Sequence, residues 1–210
     1  MRWKRIEKPK AWTKAGKYSD WKPELAAEGD HRCVYCSVRD QALGGTRFFH
    51  VEHYRPKKHF PGNKHDYYNL FYSCAICNIF KGSLWFDHDE GDWNCVHFPD
   101  PSKIDYSEFF EIGEKSELRG NHTAARYLIE VLHLNRSHLI RERRFELAVT
   151  DIGNTRRRVS DLTEKLKPQI EQGDEKAIAL LLKAYEFLDR YAALWEIKDG
   201  LPLYYPRELS

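Results

Sequence analysis

The chain has 210 residues, a formal net charge of +2 and an aromatic content of 14 %, with six tryptophans. That length holds one full domain or two small ones around a sizeable core, the aromatic content argues against disorder, and the near-balanced charge excludes a protein that binds polyanions by bulk charge rather than by local clusters. The opening MRWKRIEKPKAW is basic and aromatic but lacks the apolar run of a signal peptide, and no stretch has the apolar length of a membrane span, so a soluble protein of the cytoplasm is expected.

Residues 1–30 read as a polar segment carrying Trp3, Trp12 and Trp21. Within it, DWKPELAAEGDH predicts a short helix entered near Pro23 and stopped by Gly29. Residues 31–100 are irregular and rich in aromatics, His, Gly and Pro. TRFFHVEHY (46–54) has the residues of a strand and follows a Gly44-Gly45 turn. KKHFPGNKHD (57–66) reads as a loop, and SCAICNIFKGS (73–83) as a helix capped by Ser73 and stopped by Gly82. Residues 101–210 read as a mainly helical C-terminal region, with the texture changing at about 121. Ala125, Leu128, Ile129 and Leu132 repeat at helical spacing. A second helix is expected from near Asn135, carrying Leu139, Arg143 and Leu147 toward Leu166, with a break near Gly153. A third run holds Ile178, Leu181, Leu182, Tyr185, Leu188 and Trp195, separated from the second by Pro168 and Gly173.

Four of the five cysteines form the pairs CVYC (Cys33, Cys36) and CAIC (Cys74, Cys77). Paired CxxC units in a reducing compartment suit a metal better than disulfides, and four thiolates are what a closed tetrahedral zinc site requires. No βαβ pattern of the redox-active kind surrounds them. Cys95 reads as a small apolar residue. One Zn²⁺ draws 33–36 against 74–77 and ties the segment between them into a loop. Inside that loop lies FHVEHYRPKKH (49–59), where a carboxylate and an imidazole stand side by side next to a basic flank. If 74–81 is helical, Cys74 and Cys77 share a face, Asn78 lies at its edge and Lys81 shares the side of Asn78.

EHYRP (52–56), NLFYSCAICN (69–78) and Lys81 together resemble the HNH endonuclease motif. Glu52, His53 and Pro56 stand for its first block, Asn69 with Cys74 five residues on for its middle block, and Asn78 directly after the second CxxC for its last. Asn78 departs from the His of many members and makes the metal site oxygen-based. The resemblance implies an α+β fold with a ββα-metal (HNH) core stabilised by the four-cysteine zinc site, followed by a mainly α-helical C-terminal region. It also implies roles. His53 is the general base, which suits an imidazole that titrates near neutrality. Asn69 orients it through a side-chain or backbone oxygen, and Glu52 and Asn78 bind one catalytic Mg²⁺ or Mn²⁺. The products carry 5′-phosphate and 3′-hydroxyl ends. VEHYRPK, CNIFKG and ARYLIEVLHLNRSHLIRERR (125–144) are similar to the PtuB-type nuclease subunits of Septu anti-phage systems and to subunits that accompany some retrons. That implies a PtuA-like ATPase partner of the ABC/SMC type.

Arg55, Lys57, Lys58 and Lys81 surround this motif and suit nucleic-acid phosphates, although each taken alone is equally a solvated charge. His50 shares the strand side of Glu52 and reads as a satisfied structural group more readily than as a third ligand. His59 and His65 carry less signal still. The run DHDE (87–90) reads as a solvated loop. Arg141, Arg143, Arg144 and Arg156–Arg158 suit nucleic acid, an acidic partner or plain solvent. Two alternatives stay open: a non-catalytic zinc-bound module binding nucleic acid or protein, and a toxin-like RNase. DNA and RNA are not separated, because the chemistry acts on the phosphate they share.

Overall fold

The computed structural model describes residues 3–87, 89 and 91–199, with backbone alone for 194–199. The chain divides into two compact units, one ending at Arg143 and the other beginning at Arg144.

The first unit is built on two short antiparallel strands and a helix. Helix α1 (Lys22–Glu28) begins with Pro23 in its first turn, where a missing N–H costs nothing, and ends where Gly29 N–H bonds to Leu25 O. The chain then makes a tight knuckle. Arg32 bridges Arg39, Cys33 N–H donates to Val38 O and Ser37 N–H donates to Cys33 O. Ser37 takes a φ of 57° to close it. Strand β1 (Phe49–His53) pairs with β2 (Leu70–Cys74) in the register Phe49↔Cys74 to His53↔Leu70. All five residues of β2 are buried, and Tyr72 O accepts Val34 N–H at 2.9 Å, so the knuckle is attached to the sheet before any metal is considered.

Helix α2 (Ala75–Lys81) leaves β2 without a loop. Its cap is Cys74, whose Sγ accepts the Cys77 N–H at 3.4 Å, rather than the expected Ser73. Ser73 Oγ is instead buried 3.6 Å from Cys33 Sγ. Gly82 ends the helix at φ 51°, a backbone conformation that glycine adopts without a Cβ penalty. The long connection onward leads to a hairpin absent from the sequence reading, β3 (Phe110–Ile112) and β4 (Leu118–Gly120). Helix α3 (Thr123–Val131) follows and lies so close to Gly120 that a Cβ there would sit 2.6 Å from Arg126 N.

The aromatic N-terminal segment is part of this core. Trp12 stacks on Tyr67 at 3.6 Å, Trp3 Nε1–H donates to Tyr35 O at 2.9 Å, and Lys8 Nζ reaches Glu28 at 2.9 Å and Leu70 O at 2.5 Å. Helix α4 (Ser137–Glu171) crosses the division between the units and runs 35 residues without interruption. The break expected near Gly153 does not occur. A helical glycine costs about 1 kcal/mol but keeps its hydrogen bond, and Pro168 is likewise carried inside the helix near its end. In the second unit the chain turns at Gly173, φ 80°, into α5 (Glu175–Asp199). Ala148, Val159, Ala177 and Leu188 are buried there, and the Tyr191 hydroxyl donates to Asp151. The Trp195 side chain lies outside the described residues. Among the described residues no helix is long and apolar enough to cross a membrane.

Candidate active site and metal centre

The sheet register and the cap of α2 bring all four paired cysteines together. Their sulfurs lie within 4.8 Å of one another and all four side chains are buried. A tetrahedral zinc with Zn–S bonds of ~2.3 Å holds its sulfurs ~3.8 Å apart, and Cys36 Sγ and Cys74 Sγ stand 3.8 Å apart. The sulfurs share one negative charge unevenly: hydrogen bonds with Cys36, Cys74 and Cys77 hold the Cys33 thiol well below the usual range against the effect of burial, while burial pushes Cys36 up and the bond with Cys33 pushes Cys77 up. The Arg136 guanidinium donates to Cys77 Sγ at 3.5 Å and places a cation beside the cluster's negative charge. The donor set fits one structural zinc. Cys95 stands apart, its Sγ 3.4 Å from His97 Nδ1.

A cleft of about 260 Å³ opens on the other side of α2, lined by Glu52, His53, Lys57, Lys58 and Asn78 among others. His53 is 7 % exposed and its Nε2 lies 3.1 Å from Lys64 O. A carbonyl oxygen only accepts, so Nε2 carries the hydrogen and Nδ1 keeps a lone pair. Burial depresses the His53 pKa to about 4 against the pull of that carbonyl, helped by the Lys57 and Lys81 charges, so the ring is neutral at physiological pH. Tyr18 packs edge-on against it at 4.8 Å.

Two expectations change here. The Asn69 side chain makes its hydrogen bonds elsewhere than to His53. Its Oδ1 accepts Arg55 N–H at 2.7 Å, and its Nδ2 donates to Arg55 O at 3.1 Å and Asn63 O at 3.3 Å. Asn69 therefore clasps the loop whose next residue, Lys64, supplies the carbonyl that orients the imidazole. Lys81 does not face a ligand either. It is fully buried, with Nζ 2.6 Å from Glu52 Oε1 and 2.9 Å from His53 O. A buried carboxylate needs a paired charge, and Lys81 provides it. Tyr35 OH donates to the same Glu52 oxygen at 3.1 Å. Burial raises the Glu52 pKa, and the Lys81 ammonium opposes the rise. A carboxylate has a second oxygen, and both Glu52 and Asn78, two residue types with oxygen donors of the kind hard cations take, line the cleft.

Arg55, Lys57 and Lys58 are exposed, with Lys57 5.3 Å over the Tyr18 ring and Arg55 5.8 Å over Phe60. His50 is exposed on β1 and does not line the cleft. His59 Nε2 lies 2.9 Å from Ser83 O, and the His65 ring packs 5.6 Å from Tyr18. Of the acidic run, Asp87 accepts from Trp85 Nε1–H, while His88 and Glu90 lie outside the described residues. Arg143 is buried and donates to Ser116 O, Leu134 O and Asn135 Oδ1, which removes it from any polyanion surface. Arg141 and Arg156–Arg158 are exposed and Arg144 is half-buried. Sequence reasoning missed Tyr35, Lys64 and Arg136. Tyr35 lies inside the CVYC knuckle and was readable as a neighbour of the site, whereas a backbone carbonyl such as that of Lys64 leaves no mark in residue types.

Residues 33–84 match the family model described as HNH endonuclease. The chain is 28 % identical over 112 residues to the Septu protein PtuB of Bacillus thuringiensis, an alignment covering 53 % of this chain and 39 % of that protein. The aligned region thus spans about two fifths of the relative's length, and no solved structure matches. With residues of β1 and α2 lining the His53 cleft and the four cysteines gathered where β2 meets α2, residues 33–84 carry the HNH endonuclease family domain.

Proposed function

We propose that this protein is a metal-dependent HNH endonuclease hydrolysing nucleic-acid phosphodiester bonds, and that it serves as the nuclease effector of a prokaryotic anti-phage defence complex with a PtuA-like, ABC/SMC-type ATPase. The hydrogen bond of His53 supports the catalytic reading: with Nε2–H held by Lys64 O, Nδ1 keeps its lone pair on a residue that lines the cleft. In this scheme His53 takes the proton of the attacking water. Asn69 acts at one remove, holding the loop that fixes the imidazole. Glu52 and Asn78 would hold Mg²⁺ or Mn²⁺, which would supply Lewis-acid polarisation of the phosphate and charge stabilisation for the leaving 3′ oxygen. Arg55, Lys57 and Lys58 grip backbone phosphates; Lys81 drops out of that set because its charge is spent on Glu52. Cleavage leaves 5′-phosphate and 3′-hydroxyl ends. The similarity to a Septu protein supports the defence assignment and the ATPase partner.

The test is a panel of single-stranded DNA, duplex DNA and total RNA with Mg²⁺ or Mn²⁺ against EDTA, with the ATPase added in parallel. Wild type cuts at least one substrate and His53→Ala, folded to the same melting temperature, cuts none. Equal cutting by the two proteins would remove His53 from the mechanism. No cutting with or without the ATPase would return the chain to a zinc-bound binding module.

A further inference from the structure

A second and larger cavity, about 550 Å³, opens beside the cleft. It is lined by Tyr54, Phe60, Trp85 and Trp93, with Arg55 at its wall and the carboxylates of Asp87 and Asp100. Tyr54 and Phe60 meet Trp85 nearly at right angles, with ring centroids 5.3 and 5.1 Å away, so three rings make a corner. Two short segments form a wall common to both cavities. Pro56, Lys57 and Lys58 line the cleft while Arg55 and Phe60 line the larger space, and Ser83 lines the cleft while Trp85 lines the larger space. The 2.9 Å bond from His59 to Ser83 O pins these segments together.

We propose that this cavity holds one unpaired nucleobase of the strand whose phosphate lies at the cleft; the inference rests on the nuclease reading for its substrate class. The volume falls in the range of small-molecule pockets, ~300–1,000 Å³, so a single base fits with room to spare, and a base still paired in a duplex cannot enter it. Aromatic walls stack on any base, since every base has a π-face. Asp87 and Asp100 each spend one oxygen internally, on Trp85 Nε1 and on Ser102, and a carboxylate keeps a second oxygen to accept a base N–H. Arg55 carries a cation from the phosphate track to the pocket wall.

The experiment measures binding of fluorescein-labelled 12-mers in EDTA to the full chain: a single strand, the same strand with abasic sites, and its blunt duplex. The single strand binds tightest. Abasic substitution and Trp85→Ala each weaken it roughly 5- to 150-fold, the range set by loss of one base–aromatic stack, and Trp85→Phe restores most of it. Equal binding of abasic and intact strands, which needs no variant and so no assumption about folding, overturns the proposal. So does a duplex bound as tightly as the single strand. Adding Mn²⁺ to the same strands scores the nuclease separately. Cutting without base dependence leaves the nuclease standing and removes the pocket. Base-dependent binding without cutting, ATPase included, keeps the pocket and removes the nuclease.

Discussion

At the residue scale, Glu52 and Lys81 show how burial reassigns a charge. Both belong to the motif that identifies the site, but Lys81 is fully buried and its ammonium neutralises Glu52. Removing one partner of a buried ion pair strands the other, at a cost of ~3–5 kcal/mol. Lys81→Met is therefore expected to lower the thermal midpoint sharply, while at temperatures where it stays folded the salt dependence of nucleic-acid binding is unchanged. Lys58→Ala is expected to do the reverse: unchanged stability and a salt slope shallower by about one. If Lys81→Met flattened the salt slope and kept its stability, the lysine would be a phosphate contact after all. Asn69→Ala tests the clasp. It strands the Arg55 N–H and frees Asn63 O, costing ~1–3 kcal/mol, and turnover falls more than affinity because His53 loses its fixed carbonyl. A fall in affinity alone would show that Asn69 contacts substrate. His53 itself was legible because a histidine between a carboxylate and a basic flank is a local pattern. Its partner Lys64 O was not, being a backbone atom 11 residues away.

At the scale of elements, punctuation residues were readable and packing was not. Pro23 and Gly82 mark the start of α1 and the end of α2 because a missing N–H and a positive φ suit them, whereas Gly29 follows α1 at an ordinary φ of −88°. The cap of α2 lies one residue after the expected Ser73: Cys74 Sγ accepts the Cys77 N–H, while the Ser73 hydroxyl is turned to Cys33 Sγ. The β3–β4 hairpin escaped because three-residue strands carry too few positions for a period-two pattern, and their pairing depends on α3 closing over Gly120. Gly153 predicted a break where α4 continues, since tertiary context outweighs a propensity difference of about 1 kcal/mol. A Cβ on Gly153 would meet nothing within 4 Å. Gly153→Ala should therefore stabilise α4 by ~0.5–1 kcal/mol, visible as a higher midpoint in circular dichroism. A lower midpoint would mean that the helix bends there in solution.

For the whole molecule, the four-cysteine cluster is where metal binding would couple to the folding of the first unit. It joins residues 33–36 to 74–77 across a stretch with few regular elements, and Arg136 ties the chain just before α4 to the same sulfurs. Structural zinc contributes on the order of 10–16 kcal/mol in small zinc domains, as much as or more than the ~5–15 kcal/mol that holds a typical domain folded. Metal binding is therefore expected to contribute to this unit on the scale of its whole stability. Purified protein should contain about one zinc per chain. A chelator strong enough to extract it should unfold the first unit in one step, read by the emission of Trp3, Trp12, Trp21, Trp85 and Trp93, all of which lie there. Cys74→Ser should fail in the same way, because it removes a ligand and the α2 cap together, whereas His53→Ala should keep both zinc and the native emission. Chelation that removed the zinc but left the tryptophan emission unchanged would show that the aromatic core around Trp12, Trp21 and Tyr67 holds the unit by itself. The cysteines would then act only to set the position of α2 against the His53 cleft.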